Sequence, residues 1–164
     1  YETRDHCKEF KTPPHQPDNH HNAMVIAALV GILNHPAVVD IQAAMMNAIK
    51  RGLEYHLNTL CPQDKAPLML PESKRLACIG GYMESICMLA SLDHLPAYRT
   101  PVWRDRIRCS IKNLFYHWRK DLYETRTGDT ACYRRFGSNY NIKSIRWGSG
   151  PAMEAIARVS LMQL

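Results

Sequence analysis

The chain has 164 residues, of which 46% are hydrophobic and 22% are charged. A chain of this length and composition can bury one hydrophobic core, so we expect a single helical domain over residues 1–164 and exclude a mostly disordered polypeptide. The net charge of +6 favours a polyanionic partner, and nucleic acid, acidic polysaccharide and anionic membranes all carry the required charge.

Residues 1–18 are polar and interrupted by prolines, which predicts an irregular N-terminal arm. The six cysteines include no CxxC pair, which argues against a zinc ribbon or a thioredoxin-type site and leaves disulfides and buried free thiols both open. His15, His20 and His21 have no partner at a recognisable ligand spacing, so neither a metal nor another cofactor is predicted. Because the chain stops at Leu164 within an apolar helical pattern, we expect a processed chain or a fragment.

Asp18 or Asn19 is a good N-cap for a first helix over about residues 20–33. That helix is apolar nearly all round and too short to span a bilayer, so it is predicted to be buried. A second helix is predicted from Pro36 to Leu60, with one polar and one apolar face, as is typical of an outer helix. Its apolar face consists of Val39, Ile41, Met45, Ile49, Leu53 and Leu57.

The third predicted helix, over residues 73–92, combines large apolar residues with Gly80, Gly81 and Ser85. Two glycines in a helix cost roughly 1 kcal/mol each relative to alanine, so either close packing or a bound substrate should require the space. This composition indicates an enclosed inner helix.

A fourth helix is predicted from Thr100-Pro101, a cap and a first-turn proline, to about Leu122. Its apolar residues recur at intervals of three and four, and Arg and Lys occupy other positions. We therefore predict an outer helix whose basic face either is solvated or binds a polyanion. Residues 123–150 follow as a long polar and aromatic loop, which is a candidate binding segment.

The last helix begins at Pro151, and Glu154 and Arg158 on it are spaced to form a local ion pair. The predicted fold is all-α, with antiparallel helical hairpins whose inner members lie near residues 20–33, 73–92 and 151–164. This alternation is the pattern of an incomplete α/α toroid or barrel, and a simple helical bundle gives much the same pattern.

Arg75 and Tyr82 are seven positions apart, which is about two helical turns, so both side chains would project from nearly the same helix face. A fixed cation near a phenol favours the tyrosinate and lowers the pKa of the tyrosine. Such a tyrosine can act as a base at neutral pH.

The segment Asp18-Asn19-His20 and the stretch from Leu70 to Tyr82 together resemble the alginate-lyase-like polysaccharide lyases. In that family an Asn-Asn-His motif opens an inner helix. A later loop then leads to Arg, six further residues and Tyr on the next inner helix. The resemblance implies an incomplete α/α toroid.

The resemblance covers roughly residues 18–92, and the sequence departs from the family pattern within that range. Asp18 replaces the first Asn of the motif, and His21 adds a second His after it. Met83 and Glu84 replace the His-Asn pair that commonly follows the tyrosine.

The implied reaction is β-elimination of a uronate-containing polysaccharide such as alginate or glucuronan. Asn19 and His20 would bind and neutralise the uronate carboxylate, which acidifies the adjacent C5 proton. Tyr82 would take that proton and, in syn elimination, return one to the leaving glycosidic oxygen, and Arg75 would hold Tyr82 in its reactive state. A C5 proton is too weakly acidic unless preorganised donors stabilise the developing enolate charge, so these roles are chemically coherent and require no metal.

Further substrate contacts are expected from residues beside these motifs and in the long loop, namely His21, Lys74, Arg135, Tyr140, Arg146 and Trp147. The expected partner is an anionic polysaccharide, together with further segments of the same protein, and neither nucleic acid nor a membrane is expected. A polysaccharide lyase would act in a secreted, extracellular or periplasmic location.

Two other functions stay open on the sequence. The first is a non-catalytic helical module that binds a polyanion or a protein through its basic face and the 123–150 loop. The second is a terpenoid-cyclase-like toroid, which the Arg-Trp-Gly-Ser-Gly-Pro stretch resembles, although no acidic DxDD-type proton donor is present.

Overall fold

The computed structural model describes residues 18–63, 65–68, 70–71, 79–121, 123–124, 129–130 and 150–162. These residues are mostly helical, as predicted. The α-helices are α1 (Asn19–Ile32), α2 (Gln42–Tyr55), α3 (Ile79–Ser91), α4 (Pro101–Asp121) and α5 (Gly150–Ser160). A two-residue antiparallel pair, β1 (Tyr123–Glu124) with β2 (Asp129–Thr130), follows α4 and departs from a purely helical fold.

The predicted second helix is divided into three kinds of helix. A 3₁₀ segment, Pro36–Ile41, precedes α2, and a π-helical segment, His56–Leu60, follows it. The amide N–H of Cys61 donates to the carbonyl of His56 at 2.7 Å, which is the five-residue spacing of a π-helix. This spacing brings the side chains of those two residues to the same side of the chain.

Helix α3 is the centre of the core, as predicted for an inner helix. It packs most extensively against α1 and α5 and also against α4. Its buried residues are Ile79, Gly81, Tyr82, Met83, Ser85, Ile86, Cys87, Met88, Leu89, Ala90 and Ser91. Helix α4 has Ile107, Ile111 and Leu114 as its buried apolar residues, so the prediction of one apolar, buried face is confirmed.

The prediction that the first helix is buried all round is wrong. Helix α1 buries Ala23, Ile26 and Val30, whereas Met24, Val25 and Ile32 are 44%, 57% and 49% exposed. A helix without charged residues gives no polar face by which its solvent side can be recognised in the sequence, which explains the error.

Two other predicted core faces are corrected in part. Helix α5 buries Ala152 and Ala155, but Met153 is 71% exposed, so α5 is not an enclosed helix among the described residues. On the second helical stretch the predicted apolar face is buried within α2 and the π-helical segment. Val39 and Ile41 are exposed instead, because they belong to the 3₁₀ segment, whose three residues per turn rotate them off the face of α2.

Candidate functional site

Asp18 has a structural role at the start of α1. Its Oδ1 accepts the backbone N–H of His21 at 2.8 Å, which makes it the N-cap, and its Oδ2 lies 2.7 Å from Nδ1 of the same histidine. The carboxylate is 5% exposed and the imidazole is 56% exposed. The N-cap prediction is confirmed, and the histidine proposed to bind substrate is held in place by the cap.

Asn19 is buried at 1% exposure and belongs to a polar network between α1, the π-helical segment and α3. Its Nδ2 donates to Sγ of Cys61 at 2.9 Å, and its Oδ1 accepts from Oγ of Ser85 at 3.2 Å. The Ser85 hydroxyl also contacts the carbonyl of Gly81. Both ends of the Asn19 amide are therefore satisfied inside the protein, and the side chain has no exposed surface to offer a carboxylate of a substrate.

His56 is the centre of this network and is completely buried. Its Nε2 lies 2.9 Å from Ser85 Oγ and 3.3 Å from Cys61 Sγ, and its Nδ1 lies 3.0 Å from Nδ2 of Asn22. An amide nitrogen only donates hydrogen bonds, so Nδ1 accepts and the proton is on Nε2. Protonation would place a second N–H against the amide, and it would also put a charge into the core.

A cysteine, a histidine and a serine within hydrogen-bond reach resemble a nucleophilic site. Burial, however, lowers the pKa of His56 to about 4 and raises the pKa of Cys61 to about 12. The thiol and the imidazole are therefore both neutral near pH 7, which is the opposite of an activated thiolate. The network, which the sequence analysis missed, is structural, and the five-residue interval between His56 and Cys61 is its only signal in the sequence.

His20 is half-buried and packs against Gly80 of α3. A Cβ atom at Gly80 would lie 2.6 Å from Cε1 of the His20 ring and closer still to Nδ1, and both distances are shorter than real Cβ contacts. Of the two predicted reasons for the glycines, close packing and a bound substrate, close packing accounts for Gly80. Nδ1 of His20 is buried, and it has no hydrogen-bond partner among the described residues.

Tyr82 is fully buried in the hydrophobic core. It follows Gly80 by two positions, so the two side-chain directions differ by about 160° around α3. His20 contacts the Gly80 side of that helix. The predicted elimination requires one sugar to touch both His20 and Tyr82, and Tyr82 is 0% exposed in this structure.

The other predicted site residues lie outside the described part of the chain. They are Lys74, Arg75, Arg135, Tyr140, Arg146 and Trp147. Cys61, Cys87 and Cys109 are free thiols. Within the described ranges, no three or more His, Cys, Asp or Glu side chains are grouped to hold a metal ion.

The outward face of α4 is basic. The helix carries six Arg and Lys residues against two Asp residues. Arg108, Lys112, Tyr116 and Arg119 follow one another at intervals of four, four and three, so they lie on one side of the helix. Tyr116 is 61% exposed, and Lys112 and Arg119 are exposed. We refer to these four residues as the basic face.

A groove of about 710 Å³ lies across α1, α3 and α5. Ala27, Ala28 and Gly31 form its α1 side, Glu84 and Cys87 come from α3, and Arg158 comes from α5. Arg158 donates through Nε and Nη2 to one oxygen of Glu154, at 3.0 and 2.9 Å, which confirms the predicted ion pair. Burial raises the pKa of Glu84, and the carboxylate of Glu154 acts in the same direction, while His20 and Arg158 oppose the shift.

Comparisons with protein-family models, with curated proteins and with solved structures found no match to this chain. Function therefore has to be inferred from the residues and their geometry. No single helix in the described ranges is long and apolar enough to cross a membrane. Two segments, Asn19–Ile32 and Pro36–Leu60, reach that length and composition only when taken together across a bend of 119°.

Proposed function

We propose that this chain is a helical module that binds an anionic polymer, an acidic polysaccharide in the first instance, through the basic face of α4. The observation that carries this proposal is the alignment of Arg108, Lys112 and Arg119 with the exposed ring of Tyr116 on one side of a single helix. From Arg108 to Arg119 the helix rises roughly 16 Å, which is long enough to contact several repeating anionic groups.

The three cations of the basic face differ in whether an acidic side chain of the protein is already paired with them. Arg108 is paired with Asp105 through Nη1 and Oδ1 at 3.3 Å. Lys112 and Arg119 make no ion pair with another described residue, and both are exposed. An exposed pair such as Arg108 with Asp105 contributes little to stability, so a polymer carboxylate can compete with Asp105 for the guanidinium.

Tyr116 adds a contact that simple charge attraction lacks. An aromatic side chain offers a large apolar surface and a polar hydroxyl, and such side chains are enriched where proteins bind partners. Its ring lies between Lys112 and Arg119 along the helix, so a sugar ring bound at this position could bring its carboxylate to either cation. This arrangement favours an acidic polysaccharide over a polyanion without apolar ring surfaces.

The test is binding of polygalacturonate, measured at two salt concentrations, to the unmodified chain and to the double variant Lys112→Ala/Arg119→Ala. We expect the double variant to bind about tenfold more weakly, because binding of a polyanion depends on the number of cations in contact with it. The matched control is Lys50→Ala/Arg51→Ala, which removes the same charge from exposed positions on α2. Equal losses in both variants, or equal binding of a neutral glucan, would contradict a defined face.

Polysaccharide cleavage by β-elimination is a second candidate, and the packing of α1, α3 and α5 favours it. Helix α3 lies between α1 and α5, and α2 and α4 pack against α1 and α3. In chain order α1, α3 and α5 alternate with α2 and α4, and this alternation supports the proposal of a partial α/α toroid. The groove lies on these three helices, and His20 is half-exposed at the start of α1.

The two candidates are separated by incubating the protein with alginate, glucuronan and polygalacturonate while the ultraviolet absorbance of the unsaturated uronate product is followed. A lyase produces a rising absorbance, and a binding module produces none. If product forms, the activity of the Tyr82→Phe variant tests whether Tyr82 removes the C5 proton of the uronate. Loss of turnover with the fold retained would assign the base role to Tyr82, and unchanged turnover would exclude it.

A further inference from the structure

The groove across α1, α3 and α5 has a chemical character different from that of the basic face, and none of its lining residues is on α4. One side is apolar and made of small residues of α1, namely Ala27, Ala28 and Gly31. Apart from the helix itself, no atom of the described residues would lie within 4 Å of a Cβ at Gly31, so the described part of the chain leaves this space open. A volume of about 710 Å³ lies within the usual range for small-molecule sites.

The charged side chains that line the groove are two carboxylates, Glu84 and Glu154, and one guanidinium, Arg158. Arg158 donates two hydrogen bonds to Glu154, and the resulting ion pair has no net charge. Glu84 is half-buried and forms no hydrogen bond or ion pair with another described residue. The groups that act electrostatically on it are His20 from α1 and the Glu154–Arg158 pair from α5.

We propose that the groove binds a small organic cation, an ammonium group attached to an apolar chain, with the ammonium on Glu84 and the apolar part against Ala28 and Gly31. A cation supplies a hydrogen-bond partner, which the Glu84 carboxylate lacks among the described residues, and a hydrogen bond between charged groups in a partly buried site is among the stronger polar contacts. The apolar chain replaces water along the uncharged α1 side. This inference does not depend on polymer binding by α4.

Burial raises the pKa of Glu84, and the same burial makes an incoming cation favourable for the carboxylate. The second carboxylate, Glu154, repels Glu84 and so adds to the benefit of a bound cation. The ligand class follows from this balance. An anion would face Glu84 directly, and a neutral chain would leave its carboxylate unpaired.

The experiment is a titration of the labelled chain with hexylammonium chloride, followed by amide chemical shifts in α1 and α3. Matched titrations use 1-hexanol and sodium hexanoate, which have the same chain length. We expect saturable shifts with hexylammonium and at least about tenfold weaker binding of the other two probes, a difference of about 1.4 kcal/mol. Equal binding of 1-hexanol, or no saturable binding of hexylammonium, would overturn the proposal.

Two variants test the two sides of the groove. Glu84→Gln keeps the size of the side chain and removes its charge, so hexylammonium should bind about tenfold more weakly. Asp40→Asn is the control, because it removes the same charge at an exposed position in the 3₁₀ segment. Unchanged binding to Glu84→Gln, or an equal loss in Asp40→Asn, would show that Glu84 is not the cation site.

Gly31→Leu places a side chain into the open space and should abolish binding. The substitution also replaces a helical glycine, so the variant should melt at a temperature equal to or above that of the unmodified chain. A folded Gly31→Leu variant that still binds hexylammonium with unchanged affinity would place the ligand elsewhere and overturn the proposal.

Discussion

Four consecutive side chains at the start of α1 occupy four different environments. Asp18 caps the helix, Asn19 is buried in a hydrogen-bonded network, His20 packs on α3, and His21 is exposed and paired with the cap. Rotation by about 100° per residue distributes neighbouring residues around a helix, so a contiguous motif need not form a contiguous site. Asp18 and Asn19 thus have structural roles, whereas Nδ1 of His20 has no hydrogen-bond partner among the described residues.

Replacing Gly80 with alanine should test the contact between α3 and His20. Alanine is better than glycine in a helix by roughly 1 kcal/mol, but here its Cβ would collide with the imidazole. We expect Gly80→Ala to lower the free energy of unfolding by about 1–3 kcal/mol, which is the usual cost of overpacking a core. The measurement is urea denaturation of the variant and of the unmodified chain.

The control for Gly80→Ala is the same change in the His20→Ala background, where the collision is absent. There the substitution should be neutral or stabilising by up to about 1 kcal/mol, so the two changes should be strongly non-additive. Equal destabilisation in both backgrounds would mean that the ring of His20 is not what the glycine accommodates.

The buried His56 should make stability depend on pH. The pKa of this histidine is lowered from 6.5 to about 4 in the folded chain, mainly by burial. The unfolded chain therefore binds more protons between those pH values, so the free energy of unfolding should fall as pH drops from about 6.5 toward 4. The lowered pKa of His56 makes the free energy of unfolding about 3 kcal/mol higher above pH 6.5 than below pH 4.

The measurement is urea denaturation of the unmodified chain and of His56→Gln at a series of pH values. The difference in unfolding free energy between the two should shrink as the pH falls through this window. His94→Gln is the matched control, because it removes a histidine from an exposed position outside this network. A His56→Gln profile parallel to that of the unmodified chain would show that the histidine does not titrate in this way.

At the scale of elements, α1 is an apolar, uncharged helix whose buried and exposed sides are set by the helices that pack against it. Ile26 is 1% exposed and Val25 is 57% exposed, although the two are adjacent and equally apolar. The packing partners, α2 and α3, decide which side is covered. A sequence pattern that depends on contrast between polar and apolar faces cannot make this distinction.

Matched substitutions on α1 test this division. Ile26→Ala should lower the free energy of unfolding by about 2–5 kcal/mol, because it opens a cavity against Gly52 of α2, which the Ile26 side chain contacts. Val25→Ala should change it by less than about 0.5 kcal/mol, as most surface substitutions do. The measurement is thermal denaturation of both variants. If Val25→Ala loses as much stability as Ile26→Ala, the Val25 side of α1 is covered by another part of the protein.

For the molecule as a whole, the position of α3 determines which part of the fold should open last. This helix packs against α1, α4 and α5 and buries nearly every side chain, including the polar Ser85. Local opening of an outer element leaves α3 covered by the others, whereas exposing α3 separates all of them.

Native-state hydrogen exchange should therefore show the slowest amides in α3, with exchange free energies equal to that of global unfolding. Amides of α5, whose buried residues are Ala152 and Ala155, should exchange faster. Faster exchange in α3 than in α4 or α5 would contradict its central position.

Much of the element order could be read from the chain. Prolines, caps and helical spacing located α1, α4 and α5, and the glycine-rich composition of α3 correctly indicated an enclosed helix that approaches a neighbour closely. The division of the second helical stretch into 3₁₀, α and π segments was not predicted, because these helices differ by fractions of a residue per turn. The network around His56 depends on that division and was missed with it.

The sequence by itself determined that this chain is mostly helical, that α3 is enclosed, and that α4 presents a basic side, because local spacing and composition carry those properties. Only the tertiary structure decided that Asn19 and Tyr82 are buried, and that Glu84 of α3 lines one groove with the Glu154–Arg158 pair of α5. These are relations between residues far apart in the chain. They arise from how helices rotate and pack on one another, and no local pattern specifies that rotation.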